Sequence, residues 1–391
     1  MVVIRPFWQN LIEEAWKKRS VIWLMGIRRV GKTSLCRSLS DIVYFDCESA
    51  QVRSQFDYYE DLLNSYRGKR LVIDEIHRLD RPSEVLKVAA DHYPDIKIIA
   101  TGSSTLGTNA KFKDTLTGRK TNIWLSPMLL NELELFGDTN LQHRFLAGGL
   151  PAFFTDSQIM SNEYALWMDA YWAKDIQDMF SVGKRGSFLK FADLLLAQSG
   201  GIFEATKFAI PCEISRITLA NYLAVLEETF IVHVIKPYST HKAAEITKAP
   251  RVYAFDTGFA CHARGIQTLR PEDMGFLWEH CVLNELNAQL QLAFRRIHYW
   301  RDKQGREIDF VIREKGHDNP VTAIECKYRS SSISLNELAP NFTAFRNHYP
   351  LGKNYVVASD VQTPIVRQHK NLTITFIGAN DLAQACRDNV Y

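Results

Sequence analysis

The chain has 391 residues, 46% hydrophobic and 23% charged, with a net charge of +3. That length exceeds one ordinary core and points to two or three domains, and the balance excludes a disordered or fibrous chain. The small positive charge permits a nucleic-acid partner without demanding one.

The first residues, MVVIRPFWQN, hold no apolar leader stretch, and no apolar run is long enough to span a bilayer. The seven cysteines are scattered, with no C-x-x-C pair, so neither a zinc site nor a disulfide framework is indicated. Free thiols suit a reducing compartment, and a soluble cytoplasmic protein with no membrane partner is expected. Residues 7–18 carry an amphipathic helical pattern, and residues 21–25 then read as a buried strand. That strand enters a turn with Gly26, Val30, Gly31, Lys32, Thr33 and Ser34, followed by an apolar-periodic helix. This is G-x-x-x-x-G-K-[ST] in the strand–loop–helix context the motif requires, which sets it apart from an ordinary Gly-rich turn. Gly26 and Gly31 let the backbone approach a polyphosphate without a Cβ in the way. The amides of Val30, Gly31, Lys32 and Thr33 face an anion at a helix N-terminus. Lys32 reaches the β and γ phosphates of ATP, and the Thr33 hydroxyl ligates Mg²⁺.

A second strand is expected at 42–45, ending at Asp46, then a helix at 56–66. The apolar strand 71–73 delivers Asp74 and Glu75 at its C-terminal edge, where ligands of α/β sheets sit. Asp74 suits holding Mg²⁺, directly or through water, and Glu75 suits polarising the attacking water. The competing reading is that this acidic pair opens a solvated helix. A helix at 83–92 and a strand at 97–100 lead to TGSS, where Ser103, with Ser104 beside it, is placed to touch the γ-phosphate or the water. A hydroxyl-rich turn is the alternative there. Arg119, after Gly118, either neutralises transition-state charge, in cis or from a neighbouring subunit, or is a surface arginine.

These pieces, G-I-R-R-V-G-K-T, L-V-I-D-E, A-T-G-S-S, L-T-G-R and G-G-L-P, resemble the AAA+-like ATPases of the AAA_14 family, which carry a C-terminal domain known as DUF4143. The resemblance covers essentially the whole chain. It implies a P-loop core with an additional strand and the acidic pair on the strand next but one in sequence. Ile27 stands where relatives usually have proline or a small residue.

Gly148, Gly149 and Pro151 break the chain, giving an ATPase domain over 1–150, a middle domain over 151–265 and a C-terminal domain over 266–391. In the middle, residues 163–180 read as a helix whose aromatic stripe, Trp167, Tyr171 and Trp172, is core before it is a base-stacking surface. Helical patterns at 187–198, 204–208 and 216–228, then strands at 230–235 and 252–255, outline a winged helix. Its recognition helix would offer Arg216, Thr218 and Asn221, but also Glu227 and Glu228, so DNA contact and a packing role stand level.

The C-terminal part begins with a helix at 275–292 carrying Glu279. A hairpin around 303–305 follows, with Asp309 inside the apolar run 308–312, and VTAIECKYR forms a strand with Glu325 and Lys327 on one face. Three carboxylates, Glu279, Asp309 and Glu325, would suit Mg²⁺ or Mn²⁺, with Lys327 steadying charge on the nucleophile or phosphate. E…D…E-x-K resembles the PD-(D/E)xK nuclease fold, with Ile308 replacing the proline and Cys326 in the middle slot. Strands at 354–358 and 372–377 and helices at 335–346 and 380–386 complete this part.

The expected fold class is α/β: a P-loop NTPase with an AAA+-like parallel sheet, a winged-helix segment and a restriction-endonuclease-like α/β domain. The expected function is ATP hydrolysis to ADP whose nucleotide state controls a module acting on nucleic acid, DNA before RNA. The alternative is a switch or scaffold whose nuclease-like domain only binds. A small-molecule kinase shares the phosphate loop, but the Asp74–Glu75 pair argues against it. The sequence leaves the oligomeric state open.

Overall fold

The computed structural model describes residues 3–102, 116–156, 161–177, 184–240, 248–293, 295–314, 320–332 and 334–387. In the first part, helices α1 (Pro6–Lys18), α2 (Lys32–Arg37), α3 (Ala50–Gln55), α4 (Tyr59–Ser65) and α5 (Pro82–His92) interleave with strands β1 (Val21–Met25), β2 (Ile42–Asp46), β3 (Arg70–Asp74), β4 (Lys97–Thr101) and β5 (Lys120–Trp124). The five strands are parallel in the order β2-β3-β4-β1-β5, so β4 lies between the strand feeding the glycine-rich loop and the strand carrying the acidic pair. Both faces are covered, as an all-parallel sheet requires. Ile22 and Leu24 face one apolar cluster, and Val21 and Trp23 face another. The sequence reading did not assign β5, whose polar residues Lys120, Thr121 and Asn122 mask its apolar end.

The middle runs through α6 (Leu141–Ala147), α7 (Pro151–Phe154), α8 (Ser161–Tyr171), α9 (Arg185–Ala197), β6 (Gly201–Ile202), α10 (Ala205–Cys212), α11 (Arg216–Glu228), β7 (Val232–Pro237), β8 (Arg251–Ala254) and α12 (Thr257–Ala263). The helix expected over 163–180 is not uniform: after α8 it widens to π geometry at Trp172–Ile176. Residues 178–180 lie outside the described residues. Trp167, Tyr171 and Trp172 are buried, in an apolar cluster that also holds Ile22, Leu24 and Ile123 of the first sheet. The stripe is therefore core, and the middle region shares that core with the first sheet.

The last part comprises α13 (Met274–Leu290), β9 (Ile297–Arg301), β10 (Glu307–Arg313), β11 (Val321–Lys327), α14 (Leu335–His348), β12 (Asn354–Ala358), β13 (Ile365–His369), β14 (Leu372–Ile377) and α15 (Ala379–Arg387). Its strands and those of the middle region form one nine-stranded sheet, in the order β13-β14-β12-β11-β10-β9-β7-β8-β6. The link is a parallel pairing of β7 with β9 at Lys236–His298 and Pro237–Tyr299. The edge strand β13 went unassigned in the sequence because its residues are mostly exposed and carry no apolar alternation. Cys36, Cys47, Cys212, Cys261, Cys281 and Cys326 are buried free thiols.

One buried ion pair ties the chain start to the glycine-rich loop. The Arg5 guanidinium donates to both Glu132 oxygens at 2.7 and 2.6 Å, and to the Val30 carbonyl at 3.4 Å. Both partners are almost fully buried. Removing one side strands a buried charge, so Glu132→Ala is expected to lower the unfolding free energy by about 3 kcal/mol in a urea titration. A loss well under about 1 kcal/mol, the range of an exposed pair, would contradict this reading.

Candidate functional site

The loop after β1 has the backbone its glycines permit. Gly26 and Gly31 have φ of 153° and 101°. A Cβ at Gly26 would meet the Leu125 carbonyl oxygen at 2.8 Å. The loop is therefore a cradle that a side chain would fill. Lys32 extends across it and donates to the carbonyls of Gly26 at 2.7 Å and Ile27 at 3.2 Å. Burial lowers the Lys32 pKa, while Glu75, Asp175 and Asp74 act to raise it. Val30 is buried under the loop, and Ser34 is exposed at its mouth.

Across the sheet edge, Thr33 Oγ1 donates to Asp74 Oδ2 at 3.0 Å. Tyr44 and Thr101 also donate their hydroxyls to the Asp74 carboxylate. Burial and the bond to Asp74 push the Tyr44 pKa up. Glu75 follows β3 in left-handed backbone, φ 52°, with its amide donating to Thr101 Oγ1 at 3.2 Å. Non-glycine residues held in this region are strained and cluster at functional sites. The Glu75 carboxylate lies 3.1 Å from His77 Nδ1. That hydrogen bond lowers its pKa against the opposing effect of burial, and Lys32 adds to the lowering. Glu75 is thus an ionised base facing the loop lysine. The predicted group Gly26, Val30, Gly31, Lys32, Thr33, Ser34, Asp74 and Glu75 gathers at one rim of the sheet. Ser103 lies outside the described residues.

Sequence reasoning missed Thr101 and Tyr44. Thr101 was visible as the first hydroxyl of T-G-S-S at a strand end. It also missed Asp175, whose carboxylate pairs with Arg28 of the loop at 3.1 Å. Trp167 Nε1 donates to the Arg28 carbonyl at 3.3 Å.

Arg119 needs a correction. It pairs with Asp91 at 2.7 Å and lines a hollow with Ser20 and Lys97, at the strand starts. Lys120 registers with Val21, whereas the loop follows Met25, so Arg119 sits at the opposite rim from its own phosphate loop. It cannot serve that loop in cis.

Residues 18–134 match the family model of an AAA domain, AAA_14. Residues 274–377 match DUF4143, and residues 138–270 match DUF8612, each a domain of unknown function. The chain carries an AAA domain and a DUF4143 domain. With its parallel five-stranded sheet, the AAA domain has a P-loop NTPase fold. Among solved structures, the chain is similar to a Signal Transduction ATPase with Numerous Domains (STAND) protein with a tetratricopeptide repeat sensor from Pyrococcus horikoshii. That match is 11% identical over 73% of this chain and 47% of the other, with a TM-score of 0.30. The chain therefore spans about half the length of that structure. A DNA replication initiation factor matches at 11% identity over 56% and 82%, TM-score 0.26. C. elegans PCH-2 matches at 15% over 57% and 66%, TM-score 0.21. No curated protein matches the chain. Among the described residues, no helix is long and apolar enough to cross a membrane.

The DUF4143 domain holds a second charged cleft of about 770 Å³. Asp309 lies one step beyond the Phe310–Ile324 pair and so opposite Glu325, beside an irregularity in the β9–β10 pairing between Ile308 and Val311. Bulges of this kind re-aim side chains. Asp309 accepts from the Cys326 amide at 2.8 Å; Lys327 and Asn341 donate to Glu325 at 3.4 and 3.3 Å. Burial, with Asp309 adding to it, raises the Glu325 pKa. Burial and Asp309 likewise push Glu279 up to about 8.

The predicted Glu279, Asp309 and Lys327 line this cleft, and the buried Glu325 sits opposite Asp309 on the neighbouring strand. Among the described residues, no group of three or more His, Cys, Asp or Glu side chains is arranged to hold a metal ion. Arg251 of β8 instead reaches Glu307 at 2.7 Å, Glu279 at 3.4 Å and Asp309 at 3.8 Å. No local motif marks it, because it approaches from another part of the chain.

Thr101 orients Asp74 without reaching the loop itself. Thr101→Val should lower the rate of phosphate release about tenfold, by analogy with the loss of orienting partners behind a metal ligand. An unchanged rate in a coupled phosphate-release assay would remove Thr101 from the site.

Proposed function

We propose that this chain is an ATP-hydrolysing switch whose nucleotide state controls a DNA-directed module built from a winged helix and a nuclease-like domain. In this reading the ATPase domain occupies 1–150, the winged-helix region 151–265 and the nuclease-like domain 266–391. Lys32 exchanges its loop carbonyls for phosphate oxygens. Thr33 and Asp74 would hold Mg²⁺, which when bound would supply charge neutralisation on the phosphates. Glu75, kept ionised by His77, draws the proton of the attacking water. Arg119 is left for a neighbouring subunit. Buried free thiols fit a cytoplasmic setting.

The observation that carries the switch reading is the direct bond between the middle region and the phosphate loop, Arg28 to Asp175. Negative phosphate charge arriving beside Arg28 and Lys32 competes with Asp175 for the same cations, so binding reaches the middle region without a relay. The order α9-β6-α10-α11-β7-β8, with β8 between β7 and β6, supports the winged-helix reading. The helix α13, the antiparallel β9-β10-β11 and the parallel β11–β12 pair support the nuclease-like reading.

The face of α11 is a poor phosphate ligand. Arg216 and Asn221 are exposed there beside Ile217, Ala220, Ala224, Glu227 and Glu228. A hollow of about 520 Å³ between β7 and β9, lined by Lys236, Arg295 and Arg296 together with Glu227, has a net positive lining that suits a DNA backbone better.

Lys32→Ala and Glu75→Gln should each cut ATP turnover at least about 100-fold. Wild-type rates in both would refute the assignment. The switch is read by fluorescence anisotropy of a labelled DNA duplex with ADP and with a non-hydrolysable ATP analogue. The two states should differ about fivefold or more in affinity. Asp175→Asn should erase that difference while leaving nucleotide binding intact. A difference that survives the substitution would place the coupling elsewhere.

A further inference from the structure

Three carboxylates that line the cleft of the DUF4143 domain pair with a cation from outside that domain. Arg251 opens β8, in the region before residue 270, yet its guanidinium lies among Glu307 at 2.7 Å, Glu279 at 3.4 Å and Asp309 at 3.8 Å. The side chain is 9% exposed. It lies over the Tyr299 ring at 5.2 Å, and Tyr253, two residues along the same strand, donates its hydroxyl to Glu279. Arg251 Nε is buried with no hydrogen-bond partner. The group has been taken out of water and stays there for the carboxylates it meets.

Arg251 pairs with Glu279, Glu307 and Asp309, Arg301 also approaches Glu307 at 3.9 Å, and Lys327 pairs with Glu325 at 3.4 Å. A hard divalent cation needs several carboxylate oxygens turned to one point at just over 2 Å. Here the oxygens are turned to the fork of a guanidinium, which spreads five donors in one plane. One Asp309 oxygen lies 3.8 Å from the Arg251 guanidinium, and the other accepts from the Cys326 amide at 2.8 Å.

We propose that Arg251 is a built-in cation that takes the place of the divalent metal in the nuclease-like cleft, so that the cleft takes up neither Mg²⁺ nor Mn²⁺ while Arg251 is seated. The inference rests on the nuclease-like reading above and decides between its two forms: the seated cleft binds and does not cut. Because Arg251 belongs to β8, the residue that closes the site is carried by the middle region and not by the fold that supplies the carboxylates.

The test titrates Mn²⁺ into the nucleotide-free full chain and counts bound ion by electron paramagnetic resonance. Without nucleotide, the phosphate loop offers Mn²⁺ only Thr33 and Asp74, and a Lys32→Ala, Asp74→Asn background removes that contribution. Wild type should bind no Mn²⁺ that depends on Asp309. Arg251→Met should gain a site at least about tenfold tighter than any in wild type, the scale on which a metal site responds to its surroundings. Asp309→Asn placed on Arg251→Met should abolish the gain.

Mn²⁺ binding by wild type that is lost in Asp309→Asn overturns the proposal, as does a folded Arg251→Met chain with no gain. If Arg251→Met fails to fold by circular dichroism, the comparison of wild type with Asp309→Asn decides alone. Plasmid nicking by wild type in Mn²⁺, lost in Asp309→Asn, sinks the built-in cation but upholds the nuclease fold. Absence of DNA binding in every variant sinks the DNA reading and leaves the Mn²⁺ result standing.

Discussion

A buried carboxylate at the end of β3 constrains the whole nucleotide site. Asp74 is 5% exposed and accepts hydroxyl protons from Thr33, Tyr44 and Thr101. Taking a carboxylate out of water is costly unless donors replace the water, and hydrogen bonds to an ionised acceptor are among the stronger ones. The three donors come from three elements: the first turn of α2, the body of β2 and the end of β4. They meet only because β4 lies between β1 and β3 while β2 pairs with β3 on the other side. Sheet order, phosphate loop and acid are thus one arrangement. Moving β2, β4 or β1 away from β3 would take a donor from Asp74.

Much of this was legible in the sequence because it is local. The loop motif fixes its own backbone, and apolar runs flanked by turns marked β1, β2, β3 and β4 to within a residue. Period-two spacing put Glu325 and Lys327 on one face of β11, and the helix bearing Glu279 was recognisable by its apolar pattern. What escaped was tertiary. The edge strands β5 and β13 carry too little buried apolar surface to announce themselves. Arg119 looked catalytic because an arginine after a loop glycine has no local mark of which rim it will reach, and strand register alone decides that. Asp175 and Arg251 gave no signal, since each acts on a partner more than 25 positions away, outside its own element.

Those last two residues have a common origin. Asp175 sits in the π segment after α8 and Arg251 opens β8, so both belong to the region between the AAA domain and the DUF4143 domain. Their charges are opposite, and each complements the site it enters: an acid beside the cations of the phosphate loop, a base among the carboxylates of the second cleft. The elements that carry them also pack together. Trp167 of α8 stacks on Phe255, the residue after β8, at 5.6 Å, and both lie in the apolar cluster that continues into the first sheet.

Close-packed cores resist gradual deformation, so a shift of α8 at the phosphate loop must be accommodated at Phe255 and the end of β8. Three residues before that point, Arg251 lies within 4 Å of Glu279, Glu307 and Asp309. A guanidinium at that range is sensitive to small displacements, because hydrogen-bond energy falls steeply with distance and angle. The same packing that stabilises the middle region therefore lies between the two charged sites. In the proposed switch, phosphate charge competing for Arg28 at one end would reach the position of Arg251 at the other through these aromatic contacts and a single strand. On this view the region matching DUF8612 is more than a spacer: it supplies one counter-charge to each site and holds the pair in fixed relation.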